Sequence, residues 1–228
     1  MTQDVVQVID AESFSAVMGV SRETMERLVR YEELLRKWQP SINLVSAATL
    51  TDLWRRHMLD SAQLVELAPK EAKLWVDLGS GGGFPGLVVA ILLHDRPGFR
   101  LHAVESDQRK AVFLREVARQ TGAPVTVHAQ RIESFAPGFG EGAADVISAR
   151  ALAPLDRLLE WSESLWDDHT VGLFLKGKTV RDELTEAAKE WIFEFQAITS
   201  QSDPSGTVLK LWGLHGANPG NSSRQILD

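Results

Sequence analysis

Apolar side chains recur at helical spacing from Ser21 onward: Met25, Leu28, Leu35 and Trp38 follow a serine suited to cap a helix, and Pro40 lies just past the end. A second helical stretch begins near Thr51 and carries Leu53, Trp54, Met58, Ala62 and Val65, with the loop Ser41–Ser46 between the two. Residues 1–20 are weakly patterned and fit a short helix or arm. After Pro69 the period changes. Short apolar runs that read as buried strands (Leu74–Leu78, Leu101–Glu105, Val125–His128, Val146–Ser148, Val171–Leu175) alternate with helical stretches at Leu87–Leu93, Asp107–Gln120, Leu155–Leu165 and Val180–Trp191. Such alternation predicts a parallel sheet covered by helices on both faces. The last two strands, Ile192–Ile198 and Val208–Gly213, are joined only by Thr199–Gly206, which suits a hairpin and makes the final strand antiparallel to the rest.

The predicted architecture is therefore α/β: a Rossmann-like sheet of about seven strands, the last antiparallel, preceded by N-terminal helices. We divide it into a helical extension (1–70), a cofactor-binding domain (71–215) and a flexible tail (216–228) rich in Asn, Gly and Ser. Composition narrows the chemistry. With no cysteine among 228 residues, there is no disulfide framework, Cys-ligated zinc, iron–sulfur cluster or thiolate nucleophile. The start of the chain lacks the basic and apolar regions of a signal peptide, and no apolar run is long enough to span a membrane. A cytoplasmic monomer is expected. The six histidines form no HxH or HExxH pairing, so no metal site is expected.

The densest local signal is Leu74-Trp75-Val76-Asp77-Leu78-Gly79-Ser80-Gly81-Gly82-Gly83-Phe84-Pro85-Gly86, a buried strand running into a glycine cluster with proline where a helix would begin. A tight turn needed only for packing is the plain alternative. The dinucleotide fingerprint requires glycine where this chain has Phe84. Asp77 stands two residues before Gly79, and Asp-x-Gly-x-Gly resembles the first motif of S-adenosylmethionine-dependent methyltransferases. That cofactor carries no phosphate, and its ammonium benefits from a nearby carboxylate. Glu105, ending the next strand, can accept both ribose hydroxyls, while Asp107 is better placed to cap the following helix.

Taken together, Asn43-Leu44, Arg56-His57-Met58-Leu59-Asp60-Ser61, the glycine loop, Arg131-Ile132-Glu133, Ser148-Ala149-Arg150-Ala151 and Lys176-Gly177 resemble one bacterial family. It is the small-subunit (16S) ribosomal RNA guanine-N7 methyltransferases, also called glucose-inhibited division protein B. The matches extend over well more than half of the chain; the region after Trp191 is less family-like. The resemblance implies an S-adenosylmethionine site lined by Gly79 and Phe84, with Ser80 and Gly81 in the same loop. Glu105 would take the ribose, and Ile132 and Glu133 would lie beside the adenine. Arg150 would stand between cofactor and target base, in 16S ribosomal RNA of the small subunit.

Guanine N7 already presents a lone pair, so its methylation needs alignment and no general base. Arginine suits guanine O6 or phosphate, and the resemblance favours Arg131 and Arg150 as substrate-side residues, with Lys176 supporting, over solvated charges or salt-bridge partners. Cysteine-dependent carbon-5 methylation is excluded. The Asn/Asp-Pro-Pro-aromatic motif of exocyclic-amine methylation is replaced here by Asp145-Val146-Ile147-Ser148-Ala149-Arg150. Asn43 either braces the pocket or is a turn residue; His57 reads as a core-edge histidine; Trp38, Trp54 and Trp75 read as core first. Two rival readings are an NAD-dependent oxidoreductase and a non-catalytic RNA-binding protein on the same fold.

Charge adds one condition. The chain carries 24 Lys and Arg against 31 Asp and Glu, a net −7, which runs against RNA binding unless cations gather locally. Arg36, Lys37, Arg55 and Arg56 face only Asp52 between Leu34 and Leu59. They are expected to join Arg131, Arg150 and Lys176 on one face.

Overall fold

The structure is a computed structural model that describes residues 8–217. Its sheet has seven strands: β1 (Leu74–Leu78), β2 (Arg100–Val104), β3 (Val125–His128), β4 (Val146–Arg150), β5 (Val171–Lys176), β6 (Trp191–Thr199) and β7 (Thr207–Gly216). They lie in the order β3-β2-β1-β4-β5-β7-β6. β1 to β5 pair in parallel, and β7 is antiparallel to both β5 and β6, as the short connection requires. Most of the tail lies outside the described residues.

Alternation along each strand splits the core into two layers. Trp75, Leu101, Val146 and Leu173 pack on one face, while Val76, Val104, Ile147 and Phe174 pack on the other. Every residue of β1 is buried, because both faces are covered. The first layer also contains Leu28, Tyr31, Leu35, Leu53, Met58 and Leu64 from the N-terminal helices. Burying each such side chain contributes about 1.5–3 kcal/mol, so the helical extension shares one core with the sheet. Trp75 is fully buried, Trp54 nearly so, and Trp38 packs against Phe113 at 5.8 Å between ring centres.

The helices among the described residues are α1 (Ala11–Met18), α2 (Arg22–Trp38), α3 (Ala47–Leu50), α4 (Asp60–Leu67), α5 (Gly86–Leu92), α6 (Gln108–Thr121), α7 (Ile132–Phe135), α8 (Leu155–Ser162) and α9 (Val180–Ala187). Ser21 caps α2 by accepting from the Thr24 amide, and Asp107 caps α6 by accepting from the Arg109 and Lys110 amides.

Three local expectations change. The helix predicted from Thr51 begins as a π-helical turn, Trp54–Leu59, and becomes α-helical at Asp60. The helix predicted over Val180–Trp191 ends at Ala187: the Lys189 and Glu190 amides tighten back onto the Glu186 and Ala187 carbonyls, and Trp191 opens β6. α7 follows β3 where no helix is predicted, a turn too short to carry a periodic signal.

Candidate active site

In an open α/β sheet, ligands bind beyond the carboxyl ends of the strands where the strand order reverses. Here that point lies between β1 and β4, and two hollows meet there. The first, about 410 Å³, is lined by Gly79, Ser80, Gly81, Phe84, Glu105, Arg131, Ile132, Glu133 and Arg150 of the predicted site. The second, about 490 Å³, opens toward the N-terminal helices and the β6–β7 turn, and is lined by Arg56, His57, Asp60, Lys176, Ser200 and Ser202 among others. Leu44, Arg150 and Ala151 line both.

The loop between β1 and α5 is held from three sides. The Ser80 amide donates to the Val104 carbonyl at 3.0 Å, and the Tyr31 hydroxyl of α2 donates to the Gly82 carbonyl at 2.5 Å. Glu105, almost fully buried, completes the frame: one carboxylate oxygen accepts from the Gly81 amide and the other from the Asp107 amide, each at 2.8 Å. Those bonds fix the carboxylate at the edge of the first hollow, and each oxygen retains a further lone pair. Ile132 and Val104 supply an apolar wall to the same space.

Arg150 ends β4, and Ala151 after it takes a positive φ of 49° that turns the chain away from the sheet. This puts the guanidinium at the junction of the hollows, 5.1 Å from the Phe84 ring centre and 3.3 Å from the Arg56 carbonyl to which it donates. Burial draws its pKa downward, opposed first by Asp60. Phe84 in turn packs against the His57 ring at 4.8 Å and the Tyr31 ring at 5.2 Å. His57 lines the second hollow, and among the described residues neither ring nitrogen has a hydrogen-bond partner. Burial, with Arg150 and Arg56 nearby, pushes its pKa down to about 3, so the ring is neutral at physiological pH.

Comparison with known proteins places the chain in a family. The family model described as rRNA small subunit methyltransferase G matches residues 24–205. A Ribosomal RNA small subunit methyltransferase G of Parvibaculum lavamentivorans is 65% identical over 220 residues, covering 95% of this chain and 96% of the relative. The protein of the same name from Rhodospirillum centenum is 53% identical, covering 88% and 89%. The chain belongs to this methyltransferase family. Two solved structures share the fold at low identity. Cofactor-bound Rv0187 from MTB gives a TM-score of 0.63 at 14% identity, covering 93% of this chain and 99% of that one. A mutant of MtNAS in complex with S-adenosylmethionine gives 0.53 at 17%, covering 90% and 84%. Family membership leaves the nicotinamide-dependent oxidoreductase without support.

Two residues expected at the site are engaged by the scaffold. Asp77 does not reach the first hollow: it is fully buried beneath the loop, where it accepts from the Ser148 hydroxyl at 2.6 Å and the Gly86 amide at 3.3 Å. Burial pushes its carboxyl up to about 6, against those hydrogen bonds. Its place is in tying β1 to β4 and α5. Lys176 lines the second hollow, but its ammonium donates to Glu183 at 2.7 Å and to the Ala153 carbonyl at 2.9 Å, bracing α9 rather than facing a substrate.

Of the cations expected on one face, Arg131 and Arg150 line the first hollow, and Arg56, Arg150 and Lys176 the second. Arg36 pairs with Glu32 along α2, Arg55 with Asp52, and Arg56 with Asp203. Arg36, Lys37 and Arg55 line neither hollow, and helical spacing pairs Arg36 and Arg55 with acids on their own segment. Lys110 in the first hollow and Lys178 in the second are cations that sequence reasoning missed. Asp60, Ser200 and Ser202, given no role in the sequence, are brought together across more than half the chain length. Asn43 is exposed and lines neither hollow.

Proposed function

We propose that the protein transfers the methyl group of S-adenosylmethionine to N7 of a guanine in the 16S RNA of the small ribosomal subunit. The observation that carries this reading is the meeting of two hollows at Arg150, one framed by the Glu105 carboxylate and the other open toward solvent. The first hollow fits the cofactor's chemistry. Glu105 would accept from the ribose hydroxyls, Ile132 and Val104 would flank the adenine, and the glycine backbone allows close approach. When bound, that cofactor supplies an electrophilic methyl group on a sulfonium.

What the chain's own residues must do follows from the nucleophile. N7 needs no deprotonation, so the work is orientation and exclusion of water. Leu44, lining both hollows, offers an apolar wall at the junction. Arg150 can donate to O6, adjacent to N7, or to a phosphate. Methylation places positive charge on the purine ring, so the guanidinium serves to position rather than to stabilise that charge. Arg56, paired with Asp203, and Lys178 line the second hollow and are placed to meet the RNA backbone.

Incubating the protein with small-subunit RNA and methyl-labelled S-adenosylmethionine should place the label on N7 of one guanine. Label on another atom, or on protein alone, overturns the proposal. Glu105→Ala should raise the Kd for S-adenosylmethionine about 10- to 150-fold, the loss expected for hydrogen bonds to a charged group. An unchanged Kd in a calorimetric titration would remove Glu105 from the cofactor site.

A further inference from the structure

Asp60 divides its two carboxylate oxygens unequally. Oδ1 accepts from the Ser202 hydroxyl at 2.7 Å, the Ser200 hydroxyl at 2.8 Å and the Gln63 amide at 3.0 Å. Oδ2 accepts no hydrogen bond among the described residues. Its nearest cation is Arg150, with a guanidinium nitrogen at 3.9 Å, beyond hydrogen-bonding range. Both side chains are largely buried, at 15% and 18% exposure, and both line the second hollow. A carboxylate oxygen and a guanidinium this close, largely buried yet with no hydrogen bond between them, present an acceptor beside a donor to whatever enters.

The fold holds this pair in place. Asp60 is the first residue of α4, directly after the π-helical turn, and such turns are frequent at functional sites. The two serines that saturate Oδ1 come from the β6–β7 connection, so the carboxylate is clamped from the far end of the sheet. Gln63 secures the same turn through its own carbonyl, which accepts from the Gln201 amide at 3.0 Å. The carboxylate therefore cannot swing to meet Arg150 without giving up bonds that hold the loop.

We infer that Asp60 is the residue that selects guanine: its free Oδ2 accepts from the N1–H and exocyclic amine of the target base while Arg150 donates to O6. This rests on the reading of the protein as a guanine-N7 methyltransferase and adds the determinant of base choice. Guanine places the acceptor O6 next to the donor N1–H, the complement of an arginine beside a carboxylate. Adenine reverses both groups, setting its N1 lone pair against Oδ2 and its amine against the guanidinium. A site built on buried hydrogen-bonding groups rejects such a mismatch far more strongly than an apolar slot does. The arrangement also orients the ring. With N1–H and the amine on Asp60, the neighbouring edge that carries N7 beside O6 is left clear of the carboxylate.

The test uses the full-length protein and small-subunit RNA in which the target guanosine is replaced by inosine, which keeps O6 and N1–H and lacks the amine. For the wild-type protein, inosine should lower kcat/KM at least about tenfold. Asp60→Asn should lower kcat/KM on guanosine RNA about 100-fold, and in that variant the inosine penalty should shrink to about twofold or less. A carboxylate with only a structural role would slow both substrates equally and leave the ratio unchanged, which overturns the inference. The Kd for S-adenosylmethionine should move less than about threefold in the variant. Should Asp60→Asn not fold, the wild-type comparison still decides: inosine RNA methylated as fast as guanosine RNA overturns the assignment. Wild-type protein that methylates no guanine N7 brings down the proposed function with it. Normal guanosine methylation with an unaltered inosine ratio brings down only the role of Asp60.

Discussion

Replacing Arg150 with methionine is expected to lower kcat/KM for RNA methylation about 10²- to 10³-fold, the usual consequence of removing one buried positioning donor. Methionine retains much of the volume beside Phe84, so the packing at 5.1 Å from that ring is disturbed less than by alanine. What disappears is the charge and the planar fork at the end of β4, where the two hollows meet. Loss of orientation should register in kcat, with a smaller effect on the cofactor Kd, because Glu105 and the glycine loop do not depend on the guanidinium. Arg150→Lys is expected to restore less than about a tenth of the wild-type value, since an ammonium is a single point charge without the flat face that lies against Phe84. Steady-state kinetics on small-subunit RNA checks both. A methionine variant within fivefold of wild type would show that Arg150 serves only to neutralise Asp60.

Features written in consecutive residues were legible in the sequence. The strand into Gly79, the cap at Asp107 and the carboxylate of Glu105 rest on interactions within a few residues or between neighbouring parallel strands, and each leaves a spacing or composition trace. The antiparallel end of the sheet was legible because Thr199–Gly206 is too short for a crossover. The second hollow was not. Asp60 meets Ser200 and Ser202 over 140 and 142 positions, and no local pattern announces such a contact. Asp77 misled for a related reason. The carboxylate just before the glycine loop was expected beside the cofactor's ammonium, yet its position facing Ser148 depends on the pairing of β1 with β4. Lys176 misled because Glu183, seven residues on, is brought back by α9 onto the end of β5. Charge was a weak guide, since Arg36, Arg56 and Lys176 were counted without Glu32, Asp203 and Glu183, the acids that folding sets beside them.

The glycine loop admits a sharper trial, in which two neighbouring glycines should respond very differently to the same added methyl group. Gly83→Ala is expected to destabilise the protein by about 2–5 kcal/mol, combining backbone strain with overpacking. Gly83 has φ +97°, and a Cβ there would lie 2.6 Å from the Tyr31 hydroxyl and against the Leu87 side chain. Neither neighbour can yield readily. Tyr31 is fully buried between Phe84 and Phe113, with its hydroxyl spent on the Gly82 carbonyl, and Leu87 opens the first turn of α5. Gly81 also has positive φ, at +53°, but a Cβ there meets only the Gly79 carbonyl oxygen at 3.7 Å. Gly81→Ala should therefore cost only the strain, about 1–2 kcal/mol. For a domain of this size the Gly83 change corresponds to a fall in Tm of roughly 5–15 °C, measurable by calorimetry beside urea unfolding. Tyr31→Phe removes the atom that the new methyl meets. In the double variant the cost of Gly83→Ala should shrink by about 1 kcal/mol, a non-additivity expected only where the two groups touch. Equal losses for Gly81→Ala and Gly83→Ala, with strict additivity toward Tyr31→Phe, would show that the loop is not locked by α2. The N-terminal helices would then have no part in shaping the first hollow through Tyr31.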